Sequence, residues 1–335
     1  MVRRTSHAVL ALALVSPHFA TAQDDRPTRQ PAGGAAPMAA FGRLTGGEWR
    51  VTAASGQSMY HAWHWGPGGH SVRRMTDGKG ANGDPWREVQ VYYWHPTRKE
   101  VRVLGLSPVW GGVSEGSVRF GKDAADGTFD LYQTGGRRRM GLRWAFGAPD
   151  KYRDTLLEAD GRGVLTTLVE FDHVRSQPPA IPRPFAVEGA RLSDRLKAFA
   201  PLLGQTWESA GEGGLGTRTT FTWVPLADAI YVRVTGKSDE HVLDGYVYHH
   251  TGAKQLRLLA LAKGGGVYEG DVTPLGDGLE FDLRGHEGDR TSRQAVRVDF
   301  EPGGAVRQRA WSAEGAGRRQ VLDARHTRVE SGRPR

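Results

Sequence analysis

The chain has 335 residues, a formal net charge of +8 and no cysteine, with a mean hydropathy of −0.50. The missing cysteines exclude disulfide staples and the lipid tether of a bacterial lipoprotein. The basic excess is modest and scattered, so it gives no case for a nucleic-acid partner.

The chain opens on Arg3 and Arg4, an apolar run from Ala8 to Val15, and Ala20-Thr-Ala22, the pattern of a secretory signal peptide over residues 1–22. Export to a periplasmic or extracellular location is therefore expected, and loss of Arg3 and Arg4 would leave a charge of about +6. That apolar run is far shorter than the roughly 20 residues of a spanning helix, and no later run approaches it, so no transmembrane segment is expected. Residues 23–37 are mostly Pro, Gly, Ala and charge, and read as a disordered leader.

From there the chain repeats itself. Leu44-Thr-Gly-Gly-Glu-Trp49 returns as Leu202-Leu-Gly-Gln-Thr-Trp207, and Trp65-Gly-Pro67 returns as Trp223-Val-Pro225. His95 before Thr97 pairs with His249 before Thr251, and Gly111-Gly-Val-Ser-Glu-Gly-Ser-Val118 with Gly265-Gly-Val-Tyr-Glu-Gly-Asp-Val272. Phe129-Asp-Leu131 pairs with Phe281-Asp-Leu283, Phe146 with Phe300, and His173 with His326. One fold is thus built twice, over residues 38–175 and 191–330, with a proline-dense spacer at 176–190 and a short tail at 331–335. Ser193 to Ala200 reads as a short helix before repeat two, with Ser193 as its N-cap, and Met38 to Leu44 as its weaker counterpart.

Inside each repeat, apolar and polar residues alternate over short runs broken by turns such as Asp126-Gly127 and Asp277-Gly278. Arg87 to Trp94 places Val89, Val91 and Tyr93 on one face of a strand. Eight to ten strands per repeat, with no helix long enough to join parallel strands, imply a meander of antiparallel hairpins. Closure into an up-and-down barrel hides the edges of such a sheet. The expected fold is all-β, two tandem antiparallel barrels, each preceded by a short helix.

The Gly and Trp of Leu202 to Trp207, and of Leu44 to Trp49, resemble the opening of bacterial lipocalin-like, or calycin-type, domains. That resemblance implies a barrel with the Trp packed at one end. Leu202 to Gly213 is also similar to the opening of the nitrobindin family, which implies haem held by a late histidine, here His326 or His173.

Among candidate ligand contacts, Trp63 and Trp65 share a strand face and align with Phe221 and Trp223, giving an aromatic column that is either core or cavity wall. Tyr93 joins this list, as do Glu115 and Glu269, the carboxylates inside the best-matched segment, where neighbouring glycines permit close backbone approach. His61 and His64, three apart on a strand, point to opposite faces, so no local metal chelate forms and no metal site is expected. No nucleophile elbow, phosphate loop or paired general acid and base is found. Arg137-Arg-Arg139 reads as a solvated strand end. The sequence thus favours non-catalytic binding of a small apolar or amphipathic molecule, without a cofactor. The alternatives are a haem-binding barrel and a protein-interaction module with filled barrels. Residues shared by the repeats read as architecture, which leaves specialised function to their differences.

Overall fold

The computed structural model describes residues 34–52, 58–79, 83–176, 191–209, 216–236, 238–314 and 317–329. The expected signal sequence, leader residues 23–33 and spacer residues 177–190 lie outside them, while Ala36 and Pro37, read as leader, open the first helical segment. Two closed antiparallel barrels of ten strands follow one another along the chain. The first comprises β1 (Glu48–Thr52), β2 (Ser58–Trp65), β3 (Ser71–Lys79), β4 (Pro85–His95), β5 (Glu100–Ser107), β6 (Gly112–Phe120), β7 (Ala124–Gln133), β8 (Gly136–Phe146), β9 (Lys151–Ala159) and β10 (Leu165–Ser176). The second comprises β11 (Thr206–Ser209), β12 (Arg218–Val224), β13 (Ala229–Thr235), β14 (His241–His250), β15 (Gln255–Ala262), β16 (Val267–Leu275), β17 (Gly278–Glu287), β18 (Arg290–Phe300), β19 (Val306–Glu314) and β20 (Gly317–Val329).

Each strand pairs with its sequence neighbours, and first-to-last pairing closes each ring: Val51 lies opposite His173, and Ser209 opposite His326. Closure leaves no free edge, which is how so many strands coexist with so little helix. No helix among the described residues is long and apolar enough to cross a membrane.

A 3₁₀ segment plugs one end of each barrel. In the first, Ala36–Arg43 buries Met38 and Phe41 against Trp49, whose indole Nε1 donates to the Leu44 carbonyl at 2.8 Å. In the second, Lys197–Leu202 buries Phe199 and Leu202, and Trp207 Nε1 donates to the Leu202 carbonyl at 3.3 Å. The repeated Trp therefore fills the plugged end and also satisfies a carbonyl left open at the segment's C-terminus. Ser193 does not cap the second plug: the segment begins after Leu196 with no side-chain cap. So short a run, with a Pro201 that cannot donate, settles into the tighter 3₁₀ winding.

Strand registers refine how the repeats correspond. His95 and His250, not His249, end equivalent strands, lying opposite Glu100 and Gln255. Each accepts a hydrogen bond at Nδ1 from a backbone N–H three residues on, Arg98 at 3.2 Å and Ala253 at 3.0 Å. Phe129 faces Gly116 and Leu283 faces Gly270, so Phe129 corresponds to Leu283 and not to Phe281. A slip of two residues keeps the same face of a strand, so apolar pattern alone does not detect it.

The barrels pack against each other through a third apolar cluster. It joins Val89, Val91, Tyr93, Leu104 and Leu106 of the first to Tyr246, Tyr248, Leu259, Leu261 and Val267 of the second, among others. The apolar face expected on β4 thus points outward and is covered by the neighbouring barrel. The opposite face, with Glu88, Gln90 and Tyr92, points into the barrel.

Candidate functional site

The interiors of the two barrels differ. The second is occupied by an apolar cluster running from Leu196 and Trp207 through Val232, Leu243, Val247 and Leu283 to Val298 and Ala310. The first has a comparable cluster only near its plug. Beyond that lies a cavity of about 700 Å³, within the usual range for small-molecule sites.

Side walls of the cavity come from inward residues of successive strands, including Val103, Phe129, Leu131, Met140, Leu142 and Phe171. Trp86 and Ser107 to Trp110 line it at the hairpin end opposite the plug, where Val109 is exposed. Its floor is polar. Arg74 on β3 has Nη1 at 3.3 Å from Gln90 Oε1 and 3.5 Å from Asp154 Oδ2. On β4, Gln90 Nε2 donates to Glu88 Oε1 at 2.8 Å, and Tyr92 OH donates to Gln90 Oε1 at 2.7 Å. Asp154 Oδ2 on β9 also lies 3.8 Å from Nε2 of His173 on β10. Tyr152 stacks on the His173 ring at 4.1 Å, and the Tyr152 hydroxyl is 2.9 Å from His61 Nε2.

Burial sets the electrostatics of this floor. It raises Asp154 and Glu88 above the ordinary carboxyl range, with Arg74 pulling the other way in both cases. Burial, reinforced by Arg74, lowers His173 well below the usual imidazole range, so its ring is neutral at pH 7. Among the described residues, neither ring nitrogen of His173, nor Asp154 Oδ1, Arg74 Nε or Thr76 Oγ1, has a partner within hydrogen-bond geometry, although the Trp144 indole lies toward the Asp154 carboxyl. Buried polar atoms left in this way are met by water or by a ligand.

None of the floor's charged pattern recurs in the second barrel. The strand registers place Val232 where the first has Arg74, Leu243 for Glu88, Gly245 for Gln90 and Val247 for Tyr92. Gln308 stands for Asp154 and Val306 for Tyr152, while His326 matches His173. The two barrels share a scaffold and differ in what they enclose.

Of the residues singled out in the sequence, His173 lines the cavity. Trp63 lies in the apolar cluster near the plug, edge-on to Trp144 at 5.5 Å with the Arg74 guanidinium over its ring, and Trp65 packs against that cluster. Phe221 and Trp223 belong to the apolar interior of the second barrel. His326 is buried there too, and burial lowers it to about 4. In the basic run, Arg137 and Arg139 pair with Asp130 on the barrel's outer surface, while Arg138, on the inward side of β8 opposite Leu131, pairs with Glu158 at the open end. Sequence reasoning did not find Arg74, Glu88, Gln90, Tyr92 or Asp154. Comparing inward positions between repeats, Arg74 against Val232 above all, would have exposed them.

Tyr93, Glu115 and Glu269 meet between the barrels, in two related arrangements. Glu115 Oε1 accepts from Tyr248 OH at 3.2 Å, lies 3.3 Å from Arg257 Nη1 and is 3.6 Å from His250 Nε2. Glu269 Oε1 lies 3.9 Å from His95 Nε2 and 3.7 Å from His286 Nε2. Tyr132 packs tilted against His250 at 4.6 Å, where His286 packs tilted against His95 at 4.5 Å. His95, His286 and Glu269 hold ligand atoms within 4.8 Å of one another, near enough to a metal-binding set. However, the Arg98 N–H at Nδ1 of His95 leaves the proton of the neutral ring on Nε2, the opposite of what a metal at Nε2 requires. His250 carries the same hydrogen bond and faces a carboxylate in the same way, so the pair reads as inter-barrel architecture.

Neither the protein-family models nor the curated proteins include a match to this chain. Among solved structures, one similar chain is a redesigned β-barrel, mFAP1, bound to DFHBI. It shows 12% identity and a TM-score of 0.22, with 40% of this chain and 95% of that one covered. A second is EF1p2_mFAP2b bound to DFHBI, at 15% identity and a TM-score of 0.23, with 42% and 100% covered.

Proposed function

We propose that this protein is an exported, non-catalytic binder of a small amphipathic molecule, held in the first of two lipocalin-like barrels. The second barrel serves as a filled scaffold. One observation carries the reading: a cavity of about 700 Å³ ends on buried polar groups, while the equivalent positions of the second barrel are largely aliphatic. Burying Arg74, Glu88 and Asp154 costs free energy that an apolar filling would avoid, and the second barrel has that filling. The apolar side walls suit a hydrophobic body, and the floor suits a polar head.

Haem is the competing occupant, with His173 as its ligand. The residues present do not fit it. The His173 ring is 1% exposed, covered on one face by Tyr152 and edged by His61 at 4.8 Å, with Nε2 toward Asp154. A macrocycle centred on Nε2 would have to displace these neighbours.

Native mass spectrometry of the purified chain, together with titration by the uncharged polarity-sensitive dye Nile red, tests the reading. Retention of a small molecule, or saturable dye uptake without a Soret band on adding haem, is expected. Failure of the protein to take up any apolar molecule would overturn it.

A further inference from the structure

Among the described residues, the cavity wall carries two basic side chains, Arg74 and Lys79, against three acidic ones, Asp84, Glu88 and Asp154. Lys79 and Asp84 stand near the open end, flanking the β3–β4 connection, and offset each other. The floor therefore sets Arg74 alone against two carboxylates. In a chain of net charge +8, this is a local inversion of sign. His173 adds no positive charge, because burial keeps it neutral. Among the unpartnered atoms, Asp154 Oδ1 and one nitrogen of the neutral His173 ring are acceptors that an N–H donor can meet, beside the donors Arg74 Nε and the other ring nitrogen and the hydroxyl of Thr76.

We infer that the polar head bound on this floor is a nitrogen cation with N–H donors, of the alkylammonium or amidinium class, seated by Glu88 and Asp154 with its apolar chain toward Trp86 and Trp110. The inference rests on the small-molecule reading of the cavity. A carboxylate head would bring a third negative charge to a site with one cation. An uncharged head would leave the second carboxylate to be neutralised by a proton in this low-dielectric enclosure. An ammonium balances it. The rings of Tyr92, Phe129 and Phe171 offer further π-faces to a cation along the wall.

A dependence on pH follows from the same geometry. The groups around the two carboxylates are Arg74 from β3, Gln90 and Tyr92 from β4, Tyr152 from β9, His173 from β10 and, behind Tyr152 and His173, His61 from β2. Only Arg74 among them is charged at neutral pH, since burial also keeps His61 neutral and holds both tyrosines above their usual range. With Glu88 and Asp154 raised by burial, the empty floor takes up a proton more readily than ordinary carboxyls do. A bound cation displaces that proton, so its affinity rises as pH rises through the raised carboxyl range.

The test uses the full chain loaded with Nile red and displaced at pH 7 by dodecylamine, dodecanol or dodecanoate. Dodecylamine is expected to displace the dye at roughly tenfold lower concentration than either competitor, equivalent to about 1.4 kcal/mol. Glu88→Gln and Asp154→Asn should each shrink that preference while still binding Nile red, which shows the cavity intact. Wild-type protein supplies an arm independent of mutant folding: displacement by dodecylamine, charged throughout, should strengthen from pH 4 to pH 8. Equal or better displacement by dodecanoate or dodecanol, or a flat pH profile, overturns the cation while leaving the small-molecule reading intact. No uptake of Nile red by the wild type overturns both.

Discussion

Arg74 on β3 and Asp154 on β9 face each other inside the first barrel, with Nη1 3.5 Å from Oδ2. The same two places in the second barrel hold Val232 and Gln308. An ion pair so nearly enclosed stabilises little by itself, but breaking it leaves a buried charge. Arg74→Met should therefore destabilise the protein by about 3 kcal/mol, at the lower end for buried pairs because water can enter the cavity. The double variant Arg74→Met with Asp154→Leu should recover most of that loss. Urea unfolding at pH 7 measures both, and a single variant as stable as the wild type would show that the pair is not enclosed.

The inter-barrel carboxylate Glu269 carries an acid-stability signature. Burial by itself would raise it, yet His95, His286 and Arg257 outweigh burial and hold it at about 2, against an ordinary 4.5. A depressed carboxyl stabilises the fold fully above its unfolded value and loses that contribution as pH falls through the folded one. Stability should thus decline between about pH 4.5 and pH 2 for this reason. Glu269→Gln should flatten that part of the profile and cost roughly 1 to 2 kcal/mol at pH 7, after allowing for partial exposure. Thermal melting across pH 2 to 7 checks the slope. An unchanged slope in the variant would remove the assignment.

Gly116 and Gly270 occupy matched places in the best-conserved segment of the two repeats. A Cβ on Gly116 would stand 2.1 Å from the Thr128 carbonyl oxygen, and one on Gly270 would stand 2.0 Å from that of Asp282. In each case the obstacle is backbone of the neighbouring strand, which cannot swing aside. Gly116→Ala and Gly270→Ala should each cost about 2 kcal/mol. Gly135→Ala, with open space around its Cβ, is the neutral control.

Trp49 and Trp207 are the large rings at the plugged ends, 1% exposed in both barrels. Replacing either by Ala should cost about 3 to 5 kcal/mol through the void left behind. Trp49→Phe retains most of the volume and loses the 2.8 Å bond to the Leu44 carbonyl, for about 1 kcal/mol. Chemical denaturation separates the two effects.

Architecture was legible because it is written in repeated local patterns. Alternation gave the strands, turn dipeptides gave the hairpins, and the recurrence of Leu44 to Trp49 gave two barrels closed at one end by Trp. The candidate site was not legible in the same way. Glu88, Gln90 and Tyr92 share a strand with Val89, Val91 and Tyr93, and the latter three draw attention as the strand's apolar face. In the fold, the second barrel covers those three and the polar set turns inward. Arg74 and Asp154 lie 80 positions apart and meet only through closure of the ring. The sequence offers both His249 and His250 as counterparts of His95 because they are adjacent, and only strand pairing tells them apart.

The most direct measurement is the number of ligand molecules bound per chain, with and without a blocked first cavity. Isothermal titration with Nile red should give one site in the wild type. It should give none in Leu131→Trp, where a bulky ring replaces a side chain that lines the cavity and is 3% exposed. Two sites per chain, or one site surviving in a folded Leu131→Trp, would contradict a single binding barrel joined to a filled one.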